Sequence, residues 1–189
     1  MRLVASTVDI MQLHNPPVEE TEKNHLVDVL KEMQQQGKVR FMSISTTLPH
    51  LPTYLKWGMF DTFQIPYSAL ERDHEDWISR AAEAGIGTII RGGVARGETG
   101  VGLGSEDRWK KFEQAGLDEL REPGESRTAF LLRFTLSHPR VDTTIVGTLY
   151  PEHLQENVAA AKNGPLPAEV YEEAKRRLDK VGVAPVQTV

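Results

Sequence analysis

Five short apolar runs, at residues 8–13, 39–45, 62–67, 86–90 and 142–147, alternate with longer stretches whose apolar residues fall at helical spacing. That alternation is the pattern of parallel βαβ units, and it argues against a helical bundle or a sandwich of hairpins. Pro16 and Pro17 cannot donate ladder hydrogen bonds, which ends the first strand at about His14. The run 86–90 reads as a strand covered on both faces.

Between the strands, residues 22–36 place Leu26, Val27, Leu30 and Met33 on one helical stripe, with Gly37 as the stop. Pro49 and Pro52 frame a short helix holding Tyr54, Leu55 and Trp57 and ended by Gly58. Residues 73–84 form the next helix, with Trp77, Ile78, Ala81 and Ala82 facing inward. Further helical patterns cover 106–120, 126–137, 152–162 and 167–181, and in the last, Glu172 with Arg176 and Glu173 with Arg177 stand in the favourable i,i+4 order. Residues 91–105 break the pattern: six glycines fall between 92 and 104, the mark of a flexible functional loop or of disorder.

At 189 residues the chain can bury about 70% of its unfolded surface, so a single domain over residues 1–189 is expected. It has no cysteine, which excludes disulfides, thiolate zinc sites and a cysteine nucleophile. Its 22 Lys plus Arg against 27 Asp plus Glu give no single-sign field for phosphates, so no nucleic-acid partner is expected. No apolar run approaches the roughly 18 to 20 residues that span a bilayer. The opening stretch carries Arg2, is broken by Asp9 and lacks a cleavage pattern, so no signal peptide and a cytoplasmic location are expected. His25, His50, His74, His138 and His153 show no paired ligand spacing, and no metal is expected. Glu71, Asp73, Glu75 and Asp76 surround a helix start and read as capping charges.

Five parallel strands suit either an open doubly wound sheet or part of an eight-stranded barrel. The turn after the first strand, HNPPVEE, lacks the glycine fingerprint of the open sheet. Six landmarks then occur in a known order: DIMQLH at 9–14, GKVRFMSIS at 37–45, FQIPYS at 63–68, GIG at 85–87, IVGT at 145–148 and HLQEN at 153–157. Together they resemble the aldo-keto reductases, NAD(P)H-dependent carbonyl reductases built on a (β/α)8 barrel, over about residues 8–178.

The resemblance implies an α/β fold, an incomplete TIM-type barrel of about five parallel strands with the first three family strands absent. In that family a hydride passes from nicotinamide to a carbonyl carbon while a tyrosine protonates the oxygen, aided by an aspartate, a lysine and a histidine. The first three of these fall on the absent part, leaving His14 as the carried-over catalytic residue. For the cofactor, NADP or NAD, the resemblance assigns Ser45, Thr46 in place of the usual asparagine, and Gln64 to the nicotinamide carboxamide. Arg91 stands where the family often has a stacking aromatic ring. Gly147, Thr148, His153, Glu156 and Asn157 fall at the adenosine end, with Gly147 and His153 replacing residues that often grip the 2'-phosphate, which leaves NADPH against NADH open. The glycine-rich stretch corresponds to a lid over the cofactor or to simple disorder.

The strands at residues 8–13 and 144–146 would be unpaired edges, and an uncovered apolar lumen would favour a homo-oligomer. Two functions follow from these readings. One is a reductase of small carbonyl substrates with weak or lost activity, using a substitute proton donor such as Tyr67 or completed by a partner. The other is a non-catalytic oligomeric remnant with a binding or structural role. A fragment of a longer chain is a third reading.

Overall fold

The computed structural model describes residues 6–100 and 102–186; Arg2, and Val101 within the glycine-rich stretch, lie outside the described residues. The elements are, in order, β1 (Val8–His14), α1 (Val18–Lys23), α2 (Leu26–Gln35), β2 (Val39–Ser45), α3 (Leu51–Trp57), β3 (Thr62–Pro66), α4 (Glu75–Glu83), β4 (Gly87–Arg91) and α5 (Glu106–Gln114). A 3-10 turn (Leu117–Leu120), α6 (Arg127–Ser137), β5 (Thr143–Ile145), α7 (Pro151–Asn163) and α8 (Ala168–Lys180) complete them. The five strands form one open parallel sheet in the order β1-β2-β3-β4-β5. Among the described residues no helix is long and apolar enough to cross a membrane.

By contact density the chain divides into two compact units, residues 1–65 with 77–89 and residues 66–76 with 90–189. In the first, β1, β2 and β3 run in parallel, with Ile10 opposite Phe41, Gln12 opposite Ser43 and Ser43 opposite Thr62. Side chains two apart along a strand share a face, so two faces can be told apart. Met42, Ile44, Phe63 and Ile65 alternate with the residues just named and are all buried, Ile44, Phe63 and Ile65 at 0% exposure. Each such side chain contributes about 1.5–3 kcal/mol. The opposite face carries Gln12, Ser43, Ser45 and Gln64, with Ile10 and Phe41 half-exposed beside them. The apolar lumen expected from the sequence is, in this unit, a largely polar surface.

The helix expected over residues 22–36 is two helices. His25 adopts φ 51 between them, and Asn24 Nδ2 donates back to the Glu20 carbonyl at 2.9 Å and to its carboxylate at 2.9 Å. Such local side-chain bonds compete with helix continuation. Val27 and Leu30 remain the buried stripe of α2. Tyr54, on α3, has 0% exposure; its hydroxyl meets Thr21 Oγ1 at 2.7 Å and donates to the Pro16 carbonyl at 2.9 Å. Gly58 ends α3 at φ 61, a left-handed value that glycine adopts without strain.

The second unit is organised around Phe134, whose ring lies 4.8 Å from that of Tyr171 and 6.1 Å from that of Tyr67. Arg72 is also buried: Nε donates to Glu75 Oε2 at 2.5 Å, and Nη1 donates to Asp179 at 2.7 Å and to the Val183 carbonyl at 3.1 Å. Lys175 Nζ reaches the other Glu75 oxygen at 2.9 Å. Glu75 stands in the first turn of α4, as expected from the sequence, and is also the centre of a buried ion network, while Glu71 pairs with Arg108 at 2.5 Å. On α8, Arg177 pairs with Glu173 as expected; Arg176 takes Glu173 as well, three residues away, in place of Glu172.

Residues 106–120 are a helix and a separate 3-10 turn, divided where Gly116 takes φ 61. The strand expected at 142–147 shortens to Thr143–Ile145. The strand expected at 86–90 shifts to Gly87–Arg91, and its burial alternates, with Thr88 and Ile90 inside, so it is not covered on both faces. The glycine-rich stretch is folded. Trp109 Nε1 donates to the Gly97 carbonyl at 2.7 Å, and Leu103 N to the Arg96 carbonyl at 2.9 Å. A Cβ on Gly102 would strike the Arg96 carbonyl, and one on Gly104 the Gly97 carbonyl and the Trp109 ring. Gly102 and Gly104 thus serve close backbone approach.

Candidate functional site

In the first unit the register aligns three of the residues assigned by resemblance. His14 lies opposite Ser45, and Ser45 opposite Gln64, so one row crosses the C-terminal ends of β1 and β2 and the middle of β3. His14 is exposed and Gln64 half-buried. Ser45 is buried, and among the described residues its hydroxyl has no hydrogen-bond partner. An unpaired buried hydroxyl costs about 1–3 kcal/mol, so it marks a place where the structure leaves a bond to be made.

A second row lies two residues behind the first. Gln12 stands opposite Ser43, and Ser43 opposite Thr62. Ser43 Oγ donates to Gln12 Oε1 at 3.1 Å and lies 3.1 Å from the Thr62 carbonyl, while Gln12 Nε2 donates to Gln64 Oε1 at 3.3 Å. Gln12 and Ser43 were not singled out from the sequence. The period-two pattern Ile10, Gln12, His14 beside Phe41, Ser43, Ser45 was the available signal. Thr46, by contrast, has 0% exposure; its amide donates to the Gln64 carbonyl at 3.1 Å and its hydroxyl turns toward the Thr47 carbonyl at 3.5 Å.

In the second unit Arg91 closes β4, its carbonyl accepting from Tyr67 N at 3.2 Å. Its Nε is buried and, among the described residues, unpartnered. Burial pushes the nearby His74 imidazole below its usual range against the Asp73 and Glu71 carboxylates, and the Arg91 charge adds to the effect. Gly147 and Thr148 are exposed on the loop after β5, where Thr148 Oγ1 accepts from Tyr150 N at 3.1 Å. His153, Glu156 and Asn157 occupy the first turns of α7. The His153 ring meets Tyr150 edge-on at 5.1 Å, and Glu156 lines a surface cleft of about 330 Å³ with Glu122, Ser126 and Asn163.

Tyr67 does not serve as the substitute proton donor that the sequence suggested. It has 0% exposure, its hydroxyl lies 3.0 Å from that of Tyr171, and burial, with the Glu75 charge, pushes its pKa well above the ordinary phenol value. A phenol this reluctant to ionise and shut away from solvent cannot deliver a proton to a bound carbonyl.

A sequence model described as the aldo/keto reductase family matches residues 1–179. The chain belongs to this family. Among curated relatives, the uncharacterized oxidoreductase YqkF of Bacillus subtilis (strain 168) is 27% identical over 174 residues, 85% of this chain and 56% of that one. Among solved structures, the holo form of aldo-keto reductase AKR11C1 from Bacillus halodurans superposes with a TM-score of 0.80 at 25% identity, over 97% of this chain and 62% of that one. An aldo/keto reductase from Klebsiella pneumoniae in complex with NADP and acetate shares the fold, with a TM-score of 0.73 at 18% identity, over 97% of this chain and 62% of that one. This aldo/keto reductase chain thus spans 56–62% of these relatives.

Proposed function

We propose that this aldo/keto reductase chain binds a nicotinamide dinucleotide and descends from carbonyl reductases, with weak or lost turnover of small aldehydes and ketones. The observation that carries the reading is the buried, unpartnered Ser45 hydroxyl in one row with His14 and Gln64. These residues fit a carboxamide, which offers one acceptor and two donors to the Ser45 hydroxyl and the Gln64 amide. Arg91, in the second unit, has a buried Nε with no partner among the described residues and a flat guanidinium of the kind that stacks on rings. Gly147, Thr148, His153, Glu156 and Asn157 are assigned to the adenosine end; Gly147 and His153 bring no fixed positive charge, so NADPH gains little over NADH. The Klebsiella relative, crystallised with NADP, supports this choice of cofactor.

When bound, such a cofactor supplies hydride. His14, exposed at the end of β1, would hold a hydrogen bond to a carbonyl oxygen. Tyr67, the substitute proton donor that the sequence offered, is sealed away against Tyr171, and this supports the reading of weak or lost turnover. Fluorescence titration with NADPH and NADH tests the reading: saturable binding of either is expected, and binding of neither overturns it.

A second reading is favoured by one observation. Ile10 and Phe41, opposite one another on one face of β1 and β2, are both 42% exposed, a surface suited to a second copy of the chain. A cytoplasmic homo-oligomer with a binding role is therefore kept beside the reductase reading. Light scattering at micromolar concentration that finds only monomer removes it.

A further inference from the structure

We propose that Gln12 is a positioning residue that holds the Gln64 amide in one orientation, with its NH2 group turned to the ligand side of the sheet. The role deepens the cofactor reading above and rests on it. Three observations combine. Ser43 has 0% exposure, and its hydroxyl lies 3.1 Å from both Gln12 Oε1 and the Thr62 carbonyl; the bond to Gln12 turns the acceptor end of that amide toward Ser43. The other end, Nε2, then donates to Gln64 Oε1 at 3.3 Å. With its oxygen occupied, Gln64 keeps its donor side for a partner, and a nicotinamide carboxamide carries the matching carbonyl acceptor.

A lone glutamine on an exposed sheet face would be free to flip its amide, presenting a donor half the time and an acceptor the other half. The chain Ser43 to Gln12 to Gln64 removes that freedom before the ligand arrives, so the ordering cost is met in folding rather than in binding. The register supports the arrangement: Gln12 lies in the row behind Gln64, opposite Ser43, and every member of the relay belongs to one compact unit.

The test uses the full chain with Gln12→Leu, Gln64→Leu and the double variant, plus the isosteric Gln12→Glu as a guard against loss of fold. Without cofactor, nitrogen relaxation is expected to show the Gln64 side-chain amide more mobile in Gln12→Leu than in the wild type, whereas in Gln12→Glu, whose carboxylate only accepts, the Gln64 NH2 is expected to turn to residue 12 and exchange more slowly. NADPH titration is expected to show roughly 5–20-fold weaker binding for Gln12→Leu and for Gln64→Leu, the range of one hydrogen bond, with no further loss in the double variant. Additive losses, or Gln64 amide mobility unchanged in Gln12→Leu when the wild type binds NADPH, overturn the positioning role alone. A wild type that binds neither NADPH nor NADH overturns the cofactor reading and this role with it.

Discussion

Trp109 donates its indole N–H to the carbonyl of Gly97 at 2.7 Å, and this bond pins the ring of α5 to the glycine-rich stretch. Trp109 is 4% exposed, and Gly104 fits against its ring only because it lacks a side chain. Gly104→Ala should therefore overpack the site and lower stability by about 1–3 kcal/mol, read as a reduced urea midpoint. An unchanged midpoint would show that the stretch yields freely.

Tyr54→Phe removes one hydroxyl and two partners. Thr21 Oγ1 and the Pro16 carbonyl both lose the bond, Thr21 being 1% exposed. A loss of about 1–3 kcal/mol is expected in chemical denaturation. A neutral result would mean that water reaches the pair.

For Ser45→Ala the two readouts should move in opposite directions. Deleting a buried hydroxyl that has no partner among the described residues should raise the thermal midpoint, by the equivalent of about 1 kcal/mol. NADPH affinity should fall roughly 5–10-fold, because the ligand loses that bond. A lower midpoint would show that the hydroxyl already has a partner.

His138 sets a pH dependence. Burial pushes its imidazole below the usual 6.5, the Glu75 charge opposes this without reversing it, and Lys175 reinforces it. Its Nδ1 accepts from Arg140 N at 3.2 Å, which only the neutral ring can do. With the folded pKa below the unfolded one, the contribution to stability is complete above about pH 6.5 and is lost as pH falls toward the folded value. Urea midpoints at pH 7.5 and 5.5 should differ in the wild type and differ less in His138→Gln.

Glu75 acts in a lower window. Burial alone would raise its pKa, but the Arg72 guanidinium and Lys175 ammonium outweigh it and hold the carboxyl below its usual 4.5. Its contribution is complete above that value and lost as pH falls through the folded pKa. In Glu75→Gln, stability should start lower and depend less on pH below 4.5; an unchanged acid limb would remove Glu75 from that role.

The strands were legible because their runs are bounded by residues that cannot continue a ladder, and β2 has the ends its sequence suggests. The helix breaks were harder to see. His25 at φ 51 is not glycine and carries no turn signature, so an unbroken apolar stripe hid it. The glycine-rich stretch misled in the opposite direction, since composition reports freedom while close approach to Trp109 exists only in three dimensions. Tyr67 was open to the same error: nothing local shows that Tyr171, 104 residues later, caps its hydroxyl. In the first unit His14, Ser45 and Gln64 share one row because the register sets the last residues of β1 and β2 beside the middle of β3. Gln12 and Ser43 were visible as alternating positions, but their hydrogen bonds depend on register.

That register has a consequence for how an end strand finds its seat. A slip of β1 by one residue along β2 would set Met11 or Leu13 opposite Ser43, leave the Ser43 hydroxyl only the Thr62 carbonyl, and turn Gln12 to the apolar face away from Gln64. The polar ladder thus works as a proofreading device: the correct alignment is the one in which Ser43 bonds to Gln12 and Gln12 to Gln64, on a strand that among the described residues pairs only with β2.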